Sequence, residues 1–353
     1  MKALILAGGI GTRLRPLTCT RPKQLLPLAE STLIGYNIGQ LTKSGIREVI
    51  LATGYNIEQF RSELENGTNP DVTLHFSVES HPLGTAGAIK HAEPYLQDVE
   101  QFLVLNGDIV SDIAYNHMLQ YHKDHQAMAT IALYRVEDPS RYGVVDVTAN
   151  GQIHQFVEKP PPGQAPSNLI NAGCYVLDSA VLNQIPPNRE LSIEYEVFPQ
   201  LCQSTQVYGW EHHGIWIDTG TPASFLEAHQ VLRGKIGKTP QIGKDTKIAS
   251  SAQIASDVTI GNHVTIGNNT KISNAVIFDN AIIDAEVIIH QSIVGQGAII
   301  GKALTLDDYT VIGDGAILDT GAVIPPGSIV CPQCRVKKDA YPPHCFVKNL
   351  KSL

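Results

Sequence analysis

From residue 242 onward the chain keeps a beat of six. Ile242, Ile248, Ile254, Ile260, Ile266, Ile272 and Phe278 stand six apart, commonly followed by Gly, Ala or Ser. After a slip of register near 284–293 the beat resumes at Val294, Ile300, Leu306, Ile312, Leu318, Ile324 and Val330. An amphipathic helix spaces its apolar residues by three and four, and a single strand does not run this long, so the chain must turn the same corner repeatedly. A parallel β-helix does this. Each hexapeptide forms one flat face of a coil, and its apolar residue points to the axis and stacks on the next coil. Residues 241–335 are expected to form it, and the tail at 336–353, which loses the beat, is expected to cap or cover the open end.

Residues 1–232 have another rhythm. The runs "KALILA", "EVILAT", "TLHFSV" and "FLVLNGD" read as buried strands, and "TLIGYNIGQLTKSG" and "NIEQFRSELENG" read as helices that end at Gly. This alternation predicts an α/β domain with a largely parallel sheet, joined to the repeat by a polar linker at 233–240. A length of 353 residues with 43% hydrophobic side chains agrees with two domains. The excess of 34 Asp+Glu over 26 Lys+Arg argues against nucleic acid as a partner, because the net charge of −8 repels a polyanion. The apolar run at 3–7 is short and is followed by Arg13 and Arg15, and no long apolar run occurs elsewhere. A cytoplasmic protein without membrane attachment is therefore expected. Six irregularly spaced cysteines are expected to be reduced thiols, and Cys331-x-x-Cys334 with His344 and Cys345 lacks the second matching pair of a zinc site.

The first apolar run breaks into Gly8, Gly9 and Gly11, and Arg13, Arg15, Arg21 and Lys23 follow. Ligands of α/β sheets sit beyond the carboxyl ends of the strands, where this loop and the "NGD" at 106–108 both fall. The loop is not a dinucleotide fingerprint, since Leu14 stands where the third Gly belongs, and it lacks the G-K-[ST] of a Walker A loop. What it offers is bare backbone amides for phosphate oxygens, a guanidinium fork at Arg13 and a mobile ammonium at Lys23. A triphosphate matches that set.

The segments "LAGGIGTRLRPLT", "RPKQLLPL", "PLGTAGAI", "LNGD", "YGVV", "VEKP", "NAGCYVL" and "WIDTGTP" occur in this order. With them the chain resembles, over essentially its whole length, the sugar-1-phosphate nucleotidyltransferases. The resemblance implies a Rossmann-like domain with a mixed, mostly parallel sheet, followed by a left-handed parallel β-helix. It also implies a reaction in which a sugar 1-phosphate attacks the α-phosphorus of a nucleoside triphosphate, giving a nucleotide sugar and pyrophosphate. By the same resemblance Arg13, Lys23 and Asp108 are catalytic, and Asp108 and Asp218 hold Mg²⁺. The nucleotide is expected against Leu6, Ala7, Gly8, Gly9, Gly11, Thr12, Arg13, Glu79, Pro82, Gly84, Thr85, Asn106 and Gly107. The sugar phosphate is expected against Gly143, Glu158, Lys159 and Asn171. The chemistry agrees, because in-line transfer needs positioning and charge neutralisation, and Mg²⁺ takes carboxylate and phosphate oxygens together. No general base is needed, since a sugar-phosphate oxygen is already ionised at neutral pH. Of the adjacent His212 and His213, only one could face a sugar pocket if they lie in a strand.

"LSIEYEVFPQL" (191–201) resembles the mannose-1-phosphate guanylyltransferases more than the thymidylyltransferase branch. GTP and mannose 1-phosphate, or a related hexose or cyclitol phosphate, are the expected partners. Guanine presents N1–H and N2–H₂ on one edge, and a carboxylate or paired carbonyls near Glu79 would accept both, whereas thymine would leave an acceptor unpaired. "PKQLLP" keeps thymidylyl transfer to glucose 1-phosphate as an alternative. A non-catalytic assembly subunit is the alternative of another class; such a subunit should lose the metal or phosphate residues, and Arg13, Lys23, Asp108, Lys159 and Asp218 are all present. An acyltransferase β-helix would need a catalytic His and usually a loop projecting between coils. His263 and His290 sit within or beside the beat, and no long insertion breaks it. Residues 241–335 are therefore expected to serve as a scaffold in a homo-oligomer.

Overall fold

The computed structural model describes residues 1–353 except 55–56, 68–70, 204–205, 238, 339–345 and 348–353. Two compact units form, and they do not follow chain order: Met1–Gly8 with Ile34–Trp216, and Gly9–Leu33 with Ile217–Leu353.

The first unit is built on a nine-stranded mixed sheet. Its strands are β1 (Lys2–Leu6), β2 (Glu48–Thr53), β3 (Thr73–Val78), β4 (Gln101–Asn106), β5 (Ala129–Arg135), β6 (Gly143–Val147), β7 (Ile153–Glu158), β8 (Leu169–Asp178) and β9 (Val207–Glu211). The order runs β7-β6-β8-β4-β1-β2-β3, with β5 also paired to β8 and β9 to β5. β1 lies parallel between β2 and β4, and β8 runs antiparallel to β4, which makes the sheet mixed. Ala3, Leu4 and Ile5 are fully buried, as expected of an unbroken apolar run in a parallel strand covered on both faces. Register places Leu6 beside both Ala52 and Asn106. The chain therefore leaves β1 and β4 side by side, and Gly107 N donates to Leu6 O at 2.9 Å.

In the second unit, two-residue strands pair in parallel with residues eighteen further on, as Gln241 with Thr259 and Lys247 with Thr265. Three hexapeptides thus close one coil of a β-helix. Ile260, Ile266, Ile272, Ile283, Ile289, Ile300, Ile312 and Leu318 are buried in one apolar core. The beat is not broken where the sequence suggests. Lys271–Ile277 and Ile288–Val294 are continuous seven-residue strands, and Ile260 faces Ile277 rather than Phe278. Each long strand rounds a corner with one residue fewer, so the coils there repeat after seventeen residues. Two short steps, 272–277 and 289–294, replace the single slip expected near 284–293. Phe278 leaves the axial stack and packs on Phe225, with ring centroids 6.4 Å apart.

The helix Pro222–Ile236 runs into the stretch expected as linker. It starts with a reciprocal cap, in which Thr221 Oγ1 accepts from Ser224 N and Ser224 Oγ from Thr221 N. On it, buried His229 lies 3.1 Å from Pro27 O through Nε2 and 3.2 Å from Thr259 Oγ1 through Nδ1. Burial pushes its pKa down to about 4. A neutral ring donating to Pro27 O and accepting from Thr259 ties the Gly9–Leu33 segment, the helix and the first coils together. In the tail, Phe346–Val347 pairs antiparallel with Ile329–Val330. The expectation of reduced thiols throughout fails at Cys334, which is disulfide-bonded, whereas Cys19, Cys174, Cys202 and Cys331 are free. Among the described residues no helix is long and apolar enough to cross a membrane.

One dipeptide tests the inward and outward assignment. Ile300 is fully buried and Ile299 is 37% exposed. Ile300→Ala should cost about 2–5 kcal/mol of stability, and Ile299→Ala under about 0.5 kcal/mol, in urea denaturation of the full chain.

Candidate active site

In the second unit the glycine-rich segment turns sharply at Gly11, whose φ of +61 leads into a 3₁₀ turn at Thr12–Leu14. A Cβ at Gly11 would lie 3.0 Å from Thr18 Cγ2 and 3.1 Å from Lys23 Cβ, so glycine is needed for both conformation and space. Thr18 Oγ1 donates to Gly11 O at 2.8 Å and pins the turn from within. A second 3₁₀ turn, Lys23–Leu25, carries Lys23 inward until it is 5% exposed. Asp218, at the end of the short strand Trp216–Asp218, receives both cations. Lys23 Nζ stands 3.8 Å from Oδ1, and Arg13 Nη2 stands 3.8 Å from Oδ2. Arg13 remains well exposed, with 63% of its side chain accessible, so its guanidinium is open to an incoming anion. Gly9 and Thr12 lie in the same segment.

The first unit holds two further groups. At the ends of β1 and β4, Leu6, Ala7 and Gly8 lie beside Asn106 and Gly107, and Asp108 follows in the turn. The Oδ1 of Asn106 is buried without a hydrogen-bond partner, an acceptor of the kind a ligand donor satisfies. The loop from Glu79 to Thr85 closes on itself, as Leu83 N donates to Glu79 Oε2 at 3.0 Å. Burial raises the Glu79 pKa, and the Leu83 amide partly offsets it. One of the two oxygens proposed for guanine is therefore already engaged by the backbone. Pro82 stands in this loop, and Gly84 and Thr85 open the helix Gly84–His91.

The four residues expected to hold the sugar phosphate come together where β6 and β7 pair and β8 begins. Gly143 faces Glu158 in register, and a Cβ on Gly143 would lie 2.5 Å from Glu158 Oε2, so only glycine leaves that carboxylate in place. Lys159 follows at φ +47, a left-handed conformation that costs a non-glycine residue about 1 kcal/mol. Its amide donates to Tyr142 O at 3.0 Å, and its Nζ lies 3.5 Å from Glu158 Oε1. Asn171 Nδ2 donates to Tyr175 Oη at 2.8 Å. Burial raises the Glu158 pKa, Lys159 opposes this, and the nearby charge of Glu194 adds to it.

Glu194 is the residue that sequence reasoning missed. It sits in a π-helical turn, Ile193–Val197, capped by Ser192. Its Oε2 accepts from Thr85 Oγ1 at 2.6 Å and from Ser192 Oγ at 2.7 Å, while Tyr175 Oη lies 3.5 Å from Oε1. One carboxylate thus connects the proposed nucleotide loop to the proposed sugar pocket. "LSIEYEVFPQL" pointed to this stretch without singling out a residue, and π turns inside helices frequently mark functional sites. The adjacent histidines part company: His212 is buried with Nε2 3.1 Å from Asp112 Oδ1, and His213 is exposed. Among the described residues no three His, Cys, Asp or Glu side chains cluster as a metal cage. A Mg²⁺ that takes one or two carboxylates and otherwise phosphate and water oxygens needs no such cage.

The second unit thus carries two cations on one carboxylate, and the first unit carries a pocket of carboxylates with its own lysine. Residues 2–234 match the nucleotidyl transferase family, and residues 236–346 match the GMPPB C-terminal domain. The chain belongs to the nucleotidyl transferase family. It is 43% identical over 229 residues to the mannose-1-phosphate guanylyltransferase catalytic subunit beta of Danio rerio, covering 64% of this chain and 63% of that one. It is 42% identical over 228 residues to the protein of the same name from Dictyostelium discoideum, again covering 64% and 63%. The matched stretch thus spans less than two thirds of these relatives. Among solved structures, HddC of Yersinia pseudotuberculosis complexed with GMP-PN superposes with a TM-score of 0.57 at 26% identity, over 65% of this chain and 99% of that one. A putative glucose-1-phosphate thymidylyltransferase of Bacillus anthracis, in complex with sucrose, superposes with a TM-score of 0.60 at 26% identity, over 65% and 94%.

The raised pKa of Glu158 has a sign that can be tested. A buried carboxyl whose folded pKa lies above its unfolded value destabilises the fold once pH rises through that pKa, and costs nothing when protonated in both states. Glu158→Gln should therefore raise the thermal midpoint relative to wild type at pH 8 and leave it unchanged near pH 3.5, by calorimetry at both values.

Proposed function

We propose that the protein transfers a guanylyl group from GTP to mannose 1-phosphate, forming GDP-mannose and pyrophosphate. The observation that carries this reading is the convergence of Arg13 and Lys23 on Asp218 in the strand-end loop. Two cations there neutralise phosphates, and the carboxylate keeps them aimed. The guanylyltransferase names of the relatives supply the base and the sugar. The same convergence speaks against a non-catalytic subunit, which has no use for an exposed arginine held over a phosphate loop.

In the reaction an oxygen of the sugar phosphate forms a bond to the α-phosphorus, and the bond from that phosphorus to the bridging oxygen of pyrophosphate breaks in line. Lys159 holds the attacking phosphate. Glu158 and Asn171 accept from and donate to sugar hydroxyls, and Glu194 fixes Thr85 on the nucleotide side. Lys23 offsets the charge of the two phosphates brought together, and Arg13 offsets the charge that grows on the departing pyrophosphate. Asp108 and Asp218 would hold Mg²⁺, whose hard oxygen preference fits carboxylates and which supplies further charge neutralisation at the phosphates when bound. Leu6 to Thr12, the 79–85 loop, Asn106 and Gly107 are assigned to the nucleotide. The thymidylyl reading is kept by one observation, the fold shared with the Bacillus anthracis neighbour. The protein is further proposed to work in the cytoplasm as a homo-oligomer.

The division of labour between the two cation sites is open to a direct test. Lys159→Ala should weaken mannose 1-phosphate binding about ten- to a hundredfold, the worth of one charge-assisted phosphate contact of roughly 1.5–3 kcal/mol. Arg13→Ala should leave that affinity within about twofold and lower kcat instead. Asp218→Asn should abolish Mg²⁺-dependent turnover and, by removing a counter-charge from buried Lys23, also lower the thermal midpoint. Equal losses of sugar-phosphate affinity in the Lys159 and Arg13 variants would show that the two sites are not divided in this way.

A further inference from the structure

One carboxylate of the β-helix reaches into the phosphate-loop segment of the same compact unit. Asp314 lies in the coil that follows strand Val311–Ile312 and is 7% exposed. Its Oδ2 accepts from Thr20 Oγ1 at 2.6 Å and from Arg21 Nη2 at 2.7 Å, contacts made across nearly three hundred residues of sequence. Its Oδ1 accepts from Gln296 N at 2.8 Å, which fixes the carboxylate plane to the neighbouring coil. Arg21 is held on two more sides. Nη2 also donates to Gln296 Oε1 at 2.7 Å, and the guanidinium lies 5.7 Å from the centroid of the Phe278 ring. Phe278 is available there because the short step at 272–277 releases it from the axial stack. Thr20 and Arg21 immediately precede Pro22-Lys23, and Lys23 is one of the two cations on Asp218.

We propose that Asp314 is a positioning residue: through Thr20 and Arg21 it anchors the segment that places Lys23, so the repeat domain sets the geometry of the anion site. The proposal rests on the functional reading above only for what the anion is. A stiff coil stack is a good anchor, since its backbone is paired on both sides and its axial side chains are buried. Asp314 touches no substrate in this account. It acts by limiting where the loop can go, and catalytic geometry tolerates little displacement.

The sign of the effect separates positioning from plain electrostatics. Asp314→Asn keeps an oxygen for the Gln296 amide and turns an amide NH2 toward Arg21 and Thr20, which removes both the charge and the acceptor to which they donate. If Asp314 acted on the site merely as a negative charge, its neutralisation would strengthen anion binding. Positioning predicts the opposite. The test uses full-length protein, with inorganic tripolyphosphate as the probe in calorimetry and pyrophosphate release from GTP and mannose 1-phosphate as the rate. Asp314→Asn should bind tripolyphosphate about tenfold more weakly and lower kcat, while mannose 1-phosphate affinity stays within twofold. Arg21→Ala should reproduce this, and the double variant should be no worse than either single one. Wild-type or tighter tripolyphosphate binding by Asp314→Asn overturns the proposal. If Asp314→Asn unfolds, Thr20→Val and Arg21→Ala decide from the loop side, and unchanged probe binding in both overturns it. If the wild type binds tripolyphosphate but turns over no nucleotide and sugar phosphate pair, the functional reading fails, and the binding series still decides the role of Asp314.

Discussion

Asp218 is the carboxylate on which the cation-bearing loop depends, because two cations from that loop meet it at 3.8 Å each. Buried Lys23 is tolerable only with a counter-charge nearby, and Asp218 provides one. Exposed Arg13 would otherwise sample many directions, and the same carboxylate limits them. The loop that carries both depends in turn on Gly11, where no side chain fits, and on the turn-closing bond from Thr18. This group of residues lies in the second unit. It shares a compact unit with the helix Pro222–Ile236 and the β-helix, through His229 on one side and Asp314 on the other.

The proposed sugar pocket obeys a different constraint. Burial disfavours ionisation of Glu158, and the charge of Glu194 adds to the cost. The arrangement suits the proposed role, because hydroxyl groups need acceptors and functional sites commonly give up stability. Lys159, in its left-handed conformation, relieves part of the repulsion and is the cation a 1-phosphate would meet.

Much of this could be read from sequence because it is local. The strand runs, the glycine-rich loop, Arg13, Lys23 and the six-residue beat all lie in contiguous motifs whose spacing reflects backbone geometry. What could not be read is where the chain meets itself from afar. Phe278 keeps the beat in sequence, yet the long strand Lys271–Ile277 takes the corner one residue early, and no composition signal distinguishes a five-residue step when an apolar residue stands at the sixth position. Glu194 looked like one charge among several in "LSIEYEVFPQL" until Thr85 and Ser192 were found on it. Asp314 pairs with Arg21 through tertiary folding alone, and the disulfide at Cys334 contradicts the default drawn from irregular spacing.

Product formation tests the proposed reaction most directly. Full-length protein with Mg²⁺, mannose 1-phosphate and equal concentrations of GTP and dTTP should release pyrophosphate and accumulate GDP-mannose in preference to the thymidine product. Absence of pyrophosphate with every nucleotide and sugar 1-phosphate pair would contradict the reaction, and preferential use of dTTP would contradict the base.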